Sequence, residues 1–314
     1  MQTFAVKHKD NEIRAKSRSG GMFTAVSDYI FDHNGVVYGC VMDTQYSAKH
    51  IRAISKEDRD RMRGSKYIQS ALGDTFSSVR KDLNDGVLVL FTGTPCQVAG
   101  LKKYLGKDYD NLLSLDILCH SVPSPKVWEA YVRWNEKKYK TTVKAADFRD
   151  KSEVGWRDHV ETLWFDNGKK TTTRVFRNIF CSVNIARKSC YECRFKNLDR
   201  PGDITIGDYW GIEKNAPEFD DNKGVSLVLV NTEKGQKVFQ SIMDDIDRKE
   251  TSIETSMSSA LICSYPEPKE RAQFWKDFES KDFSYIAKKY GGLLPAHKKM
   301  LRKIKKTVKK VLPH

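Results

Sequence analysis

Four cysteines stand where thiolates could hold one metal centre. Cys190 and Cys193 are separated by two residues, a spacing that lets two thiolates bind one centre from a single turn. Cys96 lies where a predicted strand turns into a predicted helix, whose free N–H groups lower a thiol pKa and can bond to cluster sulfur. Cys119 ends the next predicted strand, at the sheet edge where α/β proteins bind ligands. This two-plus-two set fits an iron–sulfur cluster or a tetrahedral zinc ion, and the spacing alone also allows no metal.

His120 follows one of these cysteines and is the candidate catalytic residue. A histidine beside a thiolate can assist a cysteine nucleophile, but adjacent residues on a strand point to opposite faces. We therefore expect His120 to face a substrate or to support the metal site, with a packed core histidine as the alternative. The odd count of seven cysteines argues against a disulfide framework, and we expect packing roles for Cys40, Cys181 and Cys263.

The elements that position these residues alternate between helix and strand. Apolar periodicity predicts a helix from Met22, with Ser19 as its cap and Gly35 as its stop. A Gly-Thr-Pro turn leads from a strand into the helix that contains Cys96. Further predicted strands cover 36–42, 87–91, 112–118, 159–165, 171–176, 204–206 and 226–230, and further helices 70–83, 125–139 and 233–246. This succession predicts an α/β fold of mixed sheets flanked by helices, with a cofactor crevice between two closely joined lobes.

Composition and charge narrow the function further. The chain of 314 residues is 39% apolar, which is typical of a globular protein with a sizeable core. Its net charge of +14 is largely local, because residues 298 to 310 hold eight Lys or Arg and no acid. The rest has no zinc-finger spacing and no aromatic RNA-binding pattern, so we expect no nucleic-acid partner. Neither a secretion signal nor an apolar run of membrane length is present, which predicts a cytoplasmic protein.

Seven stretches of this sequence form a recognisable pattern, namely SRSGGMFT (17–24), RGSKY (63–67), FTGTPCQ (91–97), CHSVPSP (119–125), FRDK (148–151), CYEC (190–193) and DITIGDYWG (203–211). In order and spacing they resemble the coenzyme F420 hydrogenase/dehydrogenase beta-subunit family. The resemblance implies FAD and a [4Fe–4S] cluster, with electrons passed to a deazaflavin or another small-molecule acceptor. Many relatives begin with a ferredoxin-like module, and this sequence starts just past the point where that module would end, so we expect a separate ferredoxin-like or other redox partner. Bacterial relatives often accompany surface-polysaccharide genes, which suggests a link to that biosynthesis.

The residues expected to bind the flavin are concentrated in three of these stretches. Ser19, Gly20 and Gly21 precede a predicted helix, and glycines lack the Cβ atoms that would keep a cofactor phosphate away from free helix N–H groups. Glycine pairs at such positions can equally be plain helix caps.

Lys66 could serve a pyrophosphate or a reduced flavin ring as a point charge, and Tyr67 could stack on that ring. A solvated lysine and a core tyrosine are the alternatives. Ser65 belongs to the same stretch and is included among the cofactor-binding candidates. The hydroxyls of Thr92 and Thr94 could bond to the flavin or satisfy the backbone of their turn.

We divide the chain into four predicted regions. They are a flavin-binding lobe (1–85), an iron–sulfur and flavin lobe (86–250), a helical extension (251–296) and a basic amphipathic tail (297–314). The tail carries apolar residues at helical spacing among its cations, so it could contact an anionic inner membrane face or pack on the body. The alternative function is a non-enzymatic, zinc-stapled accessory protein of a membrane-bound assembly.

Overall fold

The computed structural model describes residues 1–256 and 259–293. Its strands, numbered β1 to β11, are Gln2–His8, Val36–Met42, Ala48–Ala53, Val89–Gly93, Leu112–Ile117, Val143–Asp147, Glu161–Phe165, Lys170–Thr173, Ile204–Asp208, Ser226–Val230 and Ile246–Glu250. Its α-helices, numbered α1 to α14, are Asn11–Lys16, Met22–Asp32, Lys56–Asp60, Thr75–Asn84, Pro95–Leu105, Pro125–Tyr139, Lys151–Val154, Val175–Cys181, Ile212–Asn215, Glu233–Ser241, Ile253–Ser256, Ser259–Ile262, Arg271–Ser280 and Phe283–Lys289. The predicted α/β class is confirmed.

Eight strands form one mixed sheet in the order β11-β1-β10-β9-β5-β4-β2-β3. Its centre is parallel, because β2 pairs with β4, β4 with β5, and β5 with β9 in the same direction. The carboxyl ends of these four strands therefore meet at one edge, where α/β proteins place their ligands. Strands β6, β7 and β8 form a second, smaller antiparallel sheet. Strands from 1–85 and from 86–250 share the large sheet, and the proposed boundary at 85 stays a prediction.

Helices cover both faces of the central strands, which explains why those strands read as continuous apolar runs. On β4, Leu90 belongs to the cluster that includes the buried side of α2, while Val89 and Phe91 pack with α4 and α5. A third cluster joins α6, α8, α13 and α14 to the small sheet around Trp128. The strand ends between these layers form the floor of the candidate site.

Two local predictions need correction. The helix from Met22 is capped by Gly21, at φ 94° and without a side-chain hydrogen bond, and not by Ser19. The Ser19 hydroxyl instead donates to the Val225 carbonyl at 2.6 Å, because the turn packs against β10. The helix also ends at Asp32, before the predicted stop at Gly35.

The predicted elements 171–176 and 233–246 are both shorter than expected. The first strand ends at Thr173, because the Glu161 carboxylate accepts the N–H groups of Phe176 at 2.9 Å and Arg177 at 3.1 Å, which starts α8. The second element ends as a helix at Ser241, since Ile246 pairs with β1 as the first residue of β11.

Among the residues that the structure describes, no helix is both long and apolar enough to cross a bilayer. The predicted basic tail, 297–314, lies outside the described residues, as do the last residues of the predicted extension 251–296.

Candidate functional site

The first two cysteines lie just beyond the carboxyl ends of two neighbouring parallel strands. Cys96 is the second residue of α5, directly after β4, and Cys119 follows the end of β5 by two residues. The Thr94 hydroxyl, at the N-cap of α5, lies 3.1 Å from the Cys96 Sγ. Because β4 and β5 run in the same direction, both cysteines stand at the same edge of the large sheet.

Hydrogen bonds between loops bring Cys190 and Cys193 to this edge. The Val122 N–H donates to the Cys190 Sγ at 3.4 Å, and the Arg187 N–H donates back to the Val122 carbonyl at 2.9 Å. The Cys193 N–H donates to the Ser264 hydroxyl at 3.1 Å. The pair is thus attached to the segment that directly follows Cys119.

The thiol of Cys119 is the most buried of the four. Burial is the main cause that raises its pKa to about 12, and the nearby Cys96, Cys190 and Cys193 contribute to this rise while the Lys196 ammonium opposes it. That mutual influence places the four thiols in one neighbourhood. Lys196 donates to the carbonyls of Cys119, of His120 at 3.3 Å and of Ala260 at 2.7 Å, which ties these segments together.

In residues 1–256 and 259–293, no group of three or more His, Cys, Asp or Glu side chains converges closely enough to hold a metal ion. A four-iron cluster takes one thiolate on each iron, so its ligands do not share a single point as those of one zinc ion do. All seven cysteines lie in the described residues, and none forms a disulfide.

Beside the cysteines, a cavity of about 530 Å³ opens at the carboxyl edge of the large sheet. Most of the residues predicted from the sequence line it, namely Ser19, Gly21, Ser65, Lys66, Tyr67, Thr92, Thr94, Cys119 and His120. Gly20, Cys96, Cys190 and Cys193 do not belong to its lining. Cys119 therefore belongs both to the cysteine site and to the cavity wall.

The glycine pair is explained by backbone packing. A Cβ on Gly20 would lie 2.0 Å from the Val6 carbonyl oxygen, so only glycine fits between the turn and β1. Gly21 has a positive φ of 94° and caps α2. Beyond it, the N–H groups of Met22 and Phe23 have no acceptor within the described chain, and both residues line the cavity. Helix α2 thus begins at the cavity wall with free N–H groups, the kind of donor that an anion site uses.

Lys66 is already engaged by the fold. Its ammonium donates to the carbonyls of Arg61 at 3.0 Å, Met62 at 2.8 Å and Arg63 at 2.9 Å. Burial lowers the pKa of Lys66 to about 8. All three N–H donors are in use, so the lysine would have to release a carbonyl before it could bond to a phosphate.

The other predicted side chains also have protein partners. Tyr67 stacks on Phe180 with ring centroids 4.4 Å apart and planes 9° apart, which occupies one face of its ring. The Thr92 hydroxyl donates to the Tyr38 carbonyl at 3.1 Å, so it bonds the backbone of strand β2 and not that of its own turn. The ring of His120 lies 4.3 Å from that of Tyr265 and 4.8 Å from Phe180. Burial lowers the pKa of His120 to about 4, so the imidazole is neutral at pH 7.

Sequence reasoning missed four polar residues of the cavity wall. The Nε atoms of Arg18, Arg149 and Arg177 and the Nδ1 atom of His50 are buried and have no hydrogen-bond partner. Such groups are rare in native proteins and point to an absent ligand or water. Arg18 and Arg149 fall inside stretches that carry the family resemblance, whereas His50 and Arg177 had no signal in the sequence.

An aromatic platform stands beside these arginines. Trp210, which is 43% exposed, stacks on the buried Trp156 with ring centroids 5.2 Å apart and planes 4° apart. The Trp156 N–H donates to Asp208 at 3.0 Å, and Asp208 pairs with Arg149. Burial alone would raise the pKa of Asp208, but Arg149 and Arg18 together lower it, so the carboxylate stays ionised.

Comparison with known proteins agrees with this architecture. The family model for the N-terminal region of the coenzyme F420 hydrogenase/dehydrogenase beta subunit matches residues 3–75, and the model for its C-terminal region matches residues 87–255. No curated protein matches the sequence. A chain of the F420-reducing [NiFe] hydrogenase complex from Methanosarcina barkeri has a similar fold, with a TM-score of 0.53 and 18% identity. The match covers 79% of this chain and 81% of that chain.

Proposed function

Because this chain belongs to the coenzyme F420 hydrogenase/dehydrogenase beta-subunit family, we propose that it is an electron-transfer oxidoreductase with two cofactors. Cys96, Cys119, Cys190 and Cys193 bind a [4Fe–4S] cluster, and the adjoining cavity binds FAD. The observation that carries the proposal is the position of Cys119, which belongs to the four-cysteine site and also lines the cavity.

The residues around the cysteines suit a cluster. The Val122 N–H already donates to the Cys190 sulfur, and cluster thiolates commonly accept such bonds. The Lys196 ammonium supplies one positive charge next to Cys119, Cys190 and Cys193, where four thiolates would otherwise accumulate negative charge. The first turn of α5 adds the positive end of a helix dipole at Cys96.

The cavity suits FAD in polarity and charge. Free N–H groups at the start of α2 lie beside Arg63, whose Nε donates to the Thr24 hydroxyl on that helix at 3.0 Å. This end of the cavity can hold a diphosphate. The unpartnered Nε groups of Arg18, Arg149 and Arg177 add buried donors, which an anionic cofactor or substrate would satisfy.

When bound, a flavin supplies the chemistry that joins two-electron hydride transfer to one-electron transfer. The protein contributes position and electrostatics. His120, a neutral imidazole on the cavity wall, can donate or accept one hydrogen bond to a substrate there. Trp210, which stacks on the buried Trp156 and has the Arg149 guanidinium over its ring, adds a partly exposed aromatic surface for a planar acceptor.

The proposal extends to the partners. A separate ferredoxin-like protein delivers or removes electrons at the cysteine site, where Cys96 is exposed. A deazaflavin or another small molecule exchanges hydride at the cavity. The cytoplasmic location and the link to surface polysaccharide biosynthesis stay predictions.

Anaerobic purification of the full chain tests this function. We expect about four irons and one FAD per chain, with the broad visible absorption of a cluster above the flavin bands. A colourless protein that contains one zinc ion and no flavin would overturn the proposal and favour the accessory-protein alternative. Iron and zinc contents, measured together with the spectrum, separate the two.

A further inference from the structure

His50 is a buried residue of the cavity wall, and its Nδ1 atom has no hydrogen-bond partner. We propose that the Nδ1 atom of His50 positions the flavin by accepting a hydrogen bond from a neutral N–H or O–H group of that cofactor. This inference rests on the proposed function, since it takes FAD as the occupant of the cavity.

The hydrogen bond on the far side of the ring determines which nitrogen is free. His50 Nε2 lies 3.1 Å from the Thr92 carbonyl oxygen, which has only lone pairs, so Nε2 must carry the proton. Burial lowers the pKa of His50 to about 4, which keeps the ring neutral at pH 7. A neutral ring protonated at Nε2 has a lone pair at Nδ1, and that atom can only accept.

The ring is held in place while Nδ1 remains unsatisfied. His50 is 8% exposed, and its ring stacks on Phe91 with centroids 5.7 Å apart and planes 14° apart. Its strand β3 pairs with β2, which places Cys40 opposite His50. Nδ1 is buried without a partner, and His50 lines the cavity. An unpaired buried acceptor destabilises a protein, so a rigid one at a cavity wall indicates a site completed by a ligand.

The neighbouring charges favour a neutral donor. Lys66 is the nearby cation, and its three N–H groups are taken by backbone carbonyls. The diphosphate of FAD has no proton to donate at neutral pH, and it matches the α2 end of the cavity beside Arg63. The flavin ring has one imide N–H, and the ribityl chain has hydroxyl groups. The His50 end of the cavity therefore suits the ring and ribityl portion of the cofactor.

Two substitutions separate the acceptor from the anchor. In His50→Gln the side-chain amide can keep the bond to Thr92 but loses the acceptor at the Nδ1 position. In His50→Asn the amide oxygen can replace Nδ1, but the bond to Thr92 is lost. We expect His50→Gln to keep the melting temperature and to weaken FAD binding about tenfold, or about 1.4 kcal/mol. We expect His50→Asn to lower the melting temperature and to keep FAD affinity within about threefold of wild type.

The measurement is FAD titration of the full chain after its flavin has been removed, with iron content as the check on the cysteine site. A His50→Gln variant that binds FAD as tightly as wild type would overturn this inference alone. A wild-type chain that binds no FAD would overturn the proposed function as well. FAD methylated at the ring imide identifies the donor. If the methyl group weakens binding to the wild-type chain but not to His50→Gln, the donor is the imide N–H. If methylated FAD binds the wild-type chain as tightly as FAD does, the donor is a ribityl hydroxyl.

Discussion

The cysteine site and the cavity lie side by side but are held together differently. Three of the four cysteines lie outside the strands and α-helices, and hydrogen bonds from Val122 and to Ser264 hold the Cys190 to Cys193 loop in position. The cavity is formed by strand ends of the eight-stranded sheet, and its wall is fixed by buried ion pairs and stacked rings. A site built on loops depends more on its bound group than one built on a sheet. We therefore expect removal of iron to loosen the cysteine site and to leave the cavity intact.

Replacing one cluster cysteine has the largest expected effect. Each of Cys96→Ser, Cys119→Ser, Cys190→Ser and Cys193→Ser removes one thiolate, so iron and the broad visible band should be lost, and the yield of folded protein should fall because bound metal contributes folding free energy. Iron analysis and visible spectra of the purified variants measure this.

Two other cysteines serve as controls for that series. Cys263 is exposed and Cys40 is half-buried on β2, and neither is assigned to the cluster. Cys263→Ser and Cys40→Ser should keep full iron content. Loss of iron in either one would show that the ligand set is wrong.

Breaking the ion pair of Asp208 should have the next largest effect, on the cavity side. Asp208→Asn leaves the buried Arg149 without its carboxylate, which we expect to lower the free energy of unfolding by about 3 kcal/mol. Because the folded state lowers the pKa of Asp208, its contribution is complete above the ordinary carboxyl pKa and is lost as the pH falls through the lowered value. Urea unfolding at several pH values between 7 and 3 measures the loss in the free energy of unfolding and its dependence on pH.

Asp199, an exposed loop residue, is the matched control for Asp208. Asp199→Asn should change the free energy of unfolding by less than about 0.5 kcal/mol at either pH. If Asp208→Asn costs no more than this control, the cavity wall does not depend on that ion pair, and the contrast with the cysteine site is weakened.

Lys66→Ala should have a smaller effect on the same wall. The sequence suggested that Lys66 serves the flavin and not the fold, but its ammonium bonds three carbonyls after α3. We expect the variant to lose about 1 kcal/mol of stability and to bind FAD more weakly, with iron content unchanged. The control is Lys56→Ala, an exposed position on α3, which should change neither stability nor FAD binding. If Lys66→Ala loses FAD but keeps the stability of the wild type, Lys66 serves only the flavin and not the fold.

Deleting the basic tail should affect neither region. The tail, 297–314, lies outside the described residues, and its eight cations between 298 and 310 are expected to contribute on the order of 1 kcal/mol each near an anionic membrane surface. We expect salt-sensitive binding of the full chain to anionic vesicles, lost on truncation, with FAD and iron unchanged. A truncated chain that binds vesicles equally well, or that loses a cofactor, would contradict the membrane prediction.

The sequence predicted elements well where local signals were strong. Strand Ser226–Val230 and helix Pro125–Tyr139 have the predicted bounds, because an unbroken apolar run and a proline in the first turn are local properties. Strand β1 and its partner β11 were not predicted, because their pairing joins residues more than 230 positions apart. Helix α8 begins where Glu161, from another element, accepts its first N–H groups, which no local pattern indicates.

The sequence by itself singled out the four candidate cluster cysteines. Cysteine chemistry and the strand–turn–helix order around Cys96 can be read along the chain, because thiol spacing and turn signals are local. Only the tertiary structure decided how polar groups are shared among partners. It showed that Lys66 is used by backbone carbonyls, that Gly20 is required by the close approach of Val6, and that His50 keeps a free acceptor at the cavity. Whether a polar atom is satisfied or free depends on distant segments that meet only after folding, so the binding capacity of the cavity is a property of the fold.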